Sequence, residues 1–142
     1  MSANKLTRHQ IREAALTLLY QAEITGLTDD ESINQAKTDS VEAFGLAVNS
    51  AVMKLVSGVL ENKQAIDETI KKYSSTRKIE RIPKINLSIM RIALYEMDFT
   101  DTPDKVAVNE AIELSKEYAY QPDSKLISGL LGNYFKDKHN ER

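Results

Sequence analysis

Cysteine is absent from the 142 residues, which excludes disulfide frameworks, thiolate nucleophiles and cysteine-held metal clusters. Glycine and proline are scarce, five and three, so few positions force a helix to stop. No run of about eighteen apolar residues occurs, which excludes a membrane-spanning helix. The opening MSANKLTRHQIREAALTLLYQAE lacks the apolar core and small-residue cleavage site of a secretory signal, so a soluble protein of the cytoplasm is expected. An excess of one charge is lacking too. Nineteen Lys and Arg against 21 Asp and Glu leave a net charge of −2, so any nucleic-acid site has to be local. The 42% hydrophobic and 28% charged composition is that of one folded, soluble domain.

Catalytic signatures are missing as well. Neither His9 nor His139 has a spaced partner resembling a metal motif such as H-E-x-x-H, and the phosphate-loop, dinucleotide-fold and nucleophile-elbow glycine patterns do not occur. Gly129 and Gly132 lie inside a helical pattern with no strand before them. Carboxylates at i, i+4, such as Glu113 and Glu117, read as a solvated helix face. No catalytic residue, metal or cofactor is therefore expected, and the chain is expected to act by binding.

What is present is helical periodicity throughout, with apolar residues three and four apart and no two-residue alternation. A first helix is predicted over Leu6 to Thr25, with Ile11, Ala15, Leu18, Leu19 and Ala22 on one stripe and Gly26 as its stop. Thr28 to Ser40 reads as a loop or a short weak helix. A helix over Val41 to Leu60 follows, with Phe44, Val48, Val52, Leu55 and Val59 as its seam, then another over Gln64 to Tyr73. The stretch SSTRKIERIPKIN is a linker with one short turn, and Asn86 can cap the strongly apolar helix after it. Helices over Ala107 to Tyr118 and Lys125 to about Lys138 complete the chain, with His139 in a fraying tail. The class is all-α, with an N-terminal part over about 1–76 and a C-terminal part over about 77–138.

The candidate binding residues are few. Lys5, Arg8 and Arg12 fall at i, i+3 and i+7 near the start of the first helix, with His9 beside them. A helix N-terminus offers N–H donors to a phosphate, and arginine stacks on unpaired bases. Taken alone, these residues leave open both an RNA site and a set of ordinary solvated charges. Arg91 sits in the most apolar helix and needs a partner, for which Glu110 and Glu113 are the candidates. Tyr20 and Tyr73 end apolar stripes, as core tyrosines or as interface anchors.

The segments RIALYEM (Arg91 to Met97), VAVNEAIELSKEY (Val106 to Tyr118) and KLISGLL (Lys125 to Leu131), after the opening RHQIREAALTLLYQAE, resemble the NusB family of transcription antitermination factors in order and spacing. The resemblance implies two three-helix bundle subdomains packed into one helical domain. It also implies a non-enzymatic role: binding single-stranded boxA RNA together with the ribosomal protein NusE, and acting indirectly on RNA polymerase with other Nus factors. By position it implies RNA contacts at Lys5, Arg8, His9, Arg12, Lys125 and Ser128, and partner contacts at Tyr20, Glu80 and Asn86. It allows a monomer or a homodimer. Leu126-Ile127-Ser128-Gly129 stands where the family pattern reads F-V-N-G, Arg77 stands where many members have tryptophan, and Asn86 stands at a commonly acidic position. Without the resemblance, a helical protein-interaction module that binds no RNA fits the same residues.

Overall fold

Thr7 opens the first helix of the computed structural model, which describes residues 5–74 and 77–140. Its hydroxyl accepts the Gln10 N–H at 3.0 Å, and the Gln10 side chain accepts the Thr7 N–H at 2.9 Å, a reciprocal cap. Helix α1 then runs Arg8–Thr25 and ends at Gly26, whose φ of 75° needs a residue without a Cβ. Helix α2, Asp30–Phe44, is longer than the weak element expected there. Asp29 starts it by accepting the N–H and the hydroxyl of Ser32. Capping, more than apolar content, carries α2: only Ile33 and Ser40 are buried along it.

The single helix expected over 41–60 is two. Gly45, at φ 66°, terminates α2, and the Asn49 carboxamide accepts the Val52 N–H at 3.0 Å to start α3, Ser50–Glu61. Phe44, expected on the buried seam, is 77% exposed at the end of α2. The helical spacing of Val41, Phe44, Val48 and Val52 runs across the break and concealed it. These three helices form the first compact unit, Met1–Glu61. Helix α1 lies against both α2 and α3. The Gln21 carboxamide donates to the Ser40 hydroxyl at 3.0 Å between α1 and α2.

The second unit, Asn62–Arg142, holds four α-helices and a 3₁₀ turn: α4 (Lys63–Tyr73), the turn Ile79–Arg81, α5 (Lys84–Phe99), α6 (Asp104–Tyr118) and α7 (Gln121–Asn140). The division falls at Glu61 and Asn62 instead of near 76, because α4 packs on α5 and α7. Ser75 and Thr76 of the expected linker lie outside the described residues. Pro83, not Asn86, occupies the N-cap position of α5. Asn86 through Leu94, then Glu96 and Met97, are all buried, so α5 is covered nearly all round by α4, α6 and α7.

Arg91 is carried inside by that helix. Its Nε and Nη2 donate to the two carboxylate oxygens of Asp67 on α4, at 2.8 and 2.9 Å. This two-point pair was not foreseen: Glu113, one of the acids expected to hold Arg91, faces solvent and pairs with Lys116 on its own helix at 3.4 Å. The end of α7 is also held rather than frayed. Lys138 donates to the Met97 carbonyl at 2.8 Å and pairs with Asp98 and Asp104 at 3.1 and 3.0 Å, while His139 lies 2.8 Å from Asp104. Burial works against the Lys138 ammonium, but the hydrogen bonds and charges of Asp104 and Asp98 outweigh it and hold its pKa above the usual value. Tyr134 donates to Asp98, and burial followed by that carboxylate raises its pKa. Among the described residues, no helix is long and apolar enough to cross a membrane.

Breaking the Arg91 pair by Asp67→Ala is expected to lower the unfolding free energy by about 3 kcal/mol in denaturant titration, because it removes a two-point partner from a buried cation. Asp29→Ala is expected to lower the melting temperature near neutral pH. The Ser32 hydroxyl and N–H depress the Asp29 pKa below 3.8, so its stabilisation is present above that value and is lost as pH falls through the depressed pKa. Melting curves of the two proteins, compared down a pH series, should therefore converge in acid.

Candidate nucleic-acid interface

The cap that starts α1 also shapes its anion-binding capacity. The Gln10 N–H is taken by Thr7 and the Thr7 N–H by Gln10, so the free donor set expected at this terminus is smaller than a bare helix end provides. Lys5 and Arg8 are exposed on either side of the cap, and form a small cationic surface there. His9 is half-buried and lies 3.6 Å from Glu13 one turn on, an ion pair when the imidazole is protonated.

Arg12 departs from the expected set. It is 3% exposed, in line with Ala15, Leu16 and Leu19 at i+3, i+4 and i+7 on the buried face of α1. A guanidinium so placed cannot offer a solvent-facing fork to a phosphate. The basic face read from spacing therefore reduces, in this unit, to Lys5 and Arg8 with His9 at its edge. Tyr20, further along α1, is 38% exposed and available to a partner.

The remaining expected residues lie in the second unit. Lys125 and Ser128 are both exposed, three residues apart on α7, and the Ser128 hydroxyl donates to the Lys125 carbonyl at 3.3 Å. Glu80 is exposed on the 3₁₀ turn, where it can meet a partner. Asn86 cannot do so directly, because it is wholly buried. Its Nδ2 donates to the Asp123 carbonyl in the first turn of α7 at 2.9 Å, and its Oδ1 has no hydrogen-bond partner. Asn86 thus ties α5 to the start of α7. Glu110, on α6, is half-buried.

Three features lay outside the expected set: Asp67, the carboxylate cluster around Lys138, and the exposed aromatics Tyr118 and Tyr120 between α6 and α7. Only the last left a signal in the sequence, as two tyrosines flanking one residue beside a helix boundary.

The helices of the two units define an all-α protein. The chain belongs to the NusB family, whose model matches residues 9–136 and so spans both units. It is 40% identical over 134 residues to the transcription antitermination protein NusB of Acetivibrio thermocellus, covering 92% of this chain and 90% of that one. The solved structure of NusB from T. maritima is similar at 27% identity and a TM-score of 0.75, covering 91% of this chain and 90% of that one. A crystal structure of the antitermination factors NusB and NusE in complex with dsRNA contains a chain of the same fold, at 22% identity and a TM-score of 0.76, covering 92% of this chain and 96% of that one.

The burial of Arg12 separates two substitutions that the sequence treats alike. Arg12→Ala is expected to cost about 2 kcal/mol of unfolding free energy, whereas Arg8→Ala should leave it within about 0.5 kcal/mol. Denaturation midpoints of the two variants check this.

Proposed function

We propose that the chain is a transcription antitermination factor of the cytoplasm. It binds boxA RNA jointly with ribosomal protein NusE and thereby promotes processive transcription of ribosomal RNA operons. Its action is binding, not catalysis, and its effect on RNA polymerase is indirect, through the assembled factors. The observation that carries this reading is the family match, which runs through both units. The relative named as a transcription antitermination protein supports it, as does the fold shared with a chain solved alongside NusE and RNA.

The charge pattern supports joint rather than solitary RNA binding. A net charge of −2 supplies no general attraction to phosphate, and two exposed cations at the start of α1 neutralise only two phosphates. The Lys125 and Ser128 surface of α7 adds a second contact for the RNA. Tyr20 and Glu80 are the exposed residues for NusE, while Asn86 acts from beneath by fixing the start of α7.

Fluorescence anisotropy with labelled single-stranded boxA RNA tests the reading. The protein with NusE is expected to bind more tightly than either alone. Lys5→Ala combined with Arg8→Ala should weaken binding and flatten the slope of log affinity against log salt by roughly 1.4. A titration in which NusE adds nothing would remove the proposal.

A further inference from the structure

Helices α2 and α3 both pack on α1, and among the described residues no comparable packing joins them to each other. Ile33 is the one apolar residue that α2 buries, so this helix brings little apolar surface to close against α3. The gap is a groove of about 510 Å³ within the first unit. Its α3 wall is a single helical face, on which Met53, Val56, Ser57, Leu60 and Glu61 fall at i, i+3, i+4, i+7 and i+8. Asp30, Ile33 and Asn34 line it from the start of α2. Ile33 and Val56 are buried and Met53 and Leu60 half-buried, whereas Asp30, Asn34, Ser57 and Glu61 are exposed. The groove is thus apolar within and polar at its edges.

Shape and charge together narrow what fits. From Met53 to Glu61 the wall rises about 12 Å, a little over two helical turns. An amphipathic helix sets one apolar face into such a groove through anchors at i, i+3, i+4 and i+7. The flexible thioether of Met53 can adapt to the anchors it meets. The lining residues include two carboxylates, Asp30 and Glu61, and no cation. Lys37 of α2 and Lys54 of α3 do not line the groove. Among the described residues, neither carboxylate is held by an ion pair or a side-chain hydrogen bond. Both can therefore meet a lysine or an arginine, while an acidic segment would be repelled.

We propose that the groove between α2 and α3 docks a basic amphipathic helix of a protein partner. Its apolar anchors lie on Met53, Val56 and Leu60, and its cations face Asp30 and Glu61. The site is separate from the proposed RNA and NusE surfaces, because none of their residues lines the groove.

The test uses the full chain and a labelled leucine–lysine peptide of about fifteen residues, long enough to form a helix on binding. Its leucines stand at i, i+3, i+4 and i+7. One control peptide has glutamate in place of lysine, and another has the same composition with the leucines out of register. Anisotropy is expected to show saturable binding of the first peptide alone, with amide NMR shifts concentrated at the groove. Ser57→Trp, which fills the groove from an exposed position, should abolish binding. Asp30→Lys with Glu61→Lys should weaken it roughly tenfold at low salt and admit the glutamate peptide instead. Circular dichroism establishes that each variant is folded. Equal binding of the lysine and glutamate peptides, or of the peptide with displaced leucines, refutes the proposal. So do shifts spread over the surface, no saturable binding, or variants that bind like the unaltered chain. If sedimentation shows a dimer that Ser57→Trp dissociates, the occupant is a second copy and the proposal fails.

Discussion

A guanidinium inside a helix that is covered nearly all round cannot reach water, so it has to be neutralised where it lies. Arg91 is in that position, and the two-point contact with Asp67 is the geometry that suits its planar fork. The contact constrains α4 as much as it satisfies α5. Once Asp67 faces Arg91, Ile66 and Ile70 turn inward beside it, while Glu68, Lys71 and Lys72 are left outside. Tyr73, one turn after Ile70, then donates to Asp137 of α7 at 2.7 Å and meets the Tyr134 ring edge-on at 5.4 Å. Tyr134 and Lys138 in turn reach Asp98 at the end of α5, and Lys138 reaches Asp104 at the start of α6. One buried charge thus sets the rotation of α4, and α4 sets one side of the clasp around the end of α7.

The consequence is that α7 is fixed at both ends by α5. Asn86 holds its first turn through the Asp123 carbonyl, and Asp98 with the Met97 carbonyl holds its last through Tyr134 and Lys138. Between those anchors Ile127, Leu130 and Leu131 are buried, so the exposed Lys125 and Ser128 keep one register along the surface. A helix held in this way would lose little conformational freedom on binding a partner, which favours a bound state without adding a contact. The orphaned Oδ1 of Asn86 is the local cost of this arrangement, because a buried carboxamide has one acceptor more than its neighbours satisfy.

The fold class was legible because burial and helical spacing are the same signal. In α4 and α5 the residues at helical spacing, Ile66, Ile70, Leu87, Met90, Ala93, Leu94 and Met97, are all buried. Helix α2 was not legible, since its caps at Asp29 and Gly45 do more than its apolar residues, and the apolar spacing ran through Gly45 unbroken. Arg12 was misplaced for a reason visible afterwards: it shares a face with Lys5 and Arg8 by count, but also with Ala15, Leu16 and Leu19, and burial won. Asn86 looked like a cap because a polar residue stood before an apolar run, whereas Pro83 had already opened the helix one turn earlier. Asp67 as a partner of Arg91 was not legible, because α4 reaches α5 from upstream, and no local pattern in a single sequence gives that pairing.

The burial of Arg12 changes how the proposed RNA-binding surface has to work. With that cation withdrawn, the start of α1 offers Lys5 and Arg8, and its backbone donors are partly spent on the capping box. Single strands yield a weak salt dependence per phosphate contacted, so a surface of this kind gains little affinity from electrostatics alone. Two routes to higher affinity remain compatible with a near-neutral protein. One is to share the RNA with a partner, so that contacts weak in isolation act within a single complex at high effective concentration. The other is to recruit contacts that do not depend on charge, namely aromatic faces against unpaired bases. The proposed joint binding with NusE takes the first route.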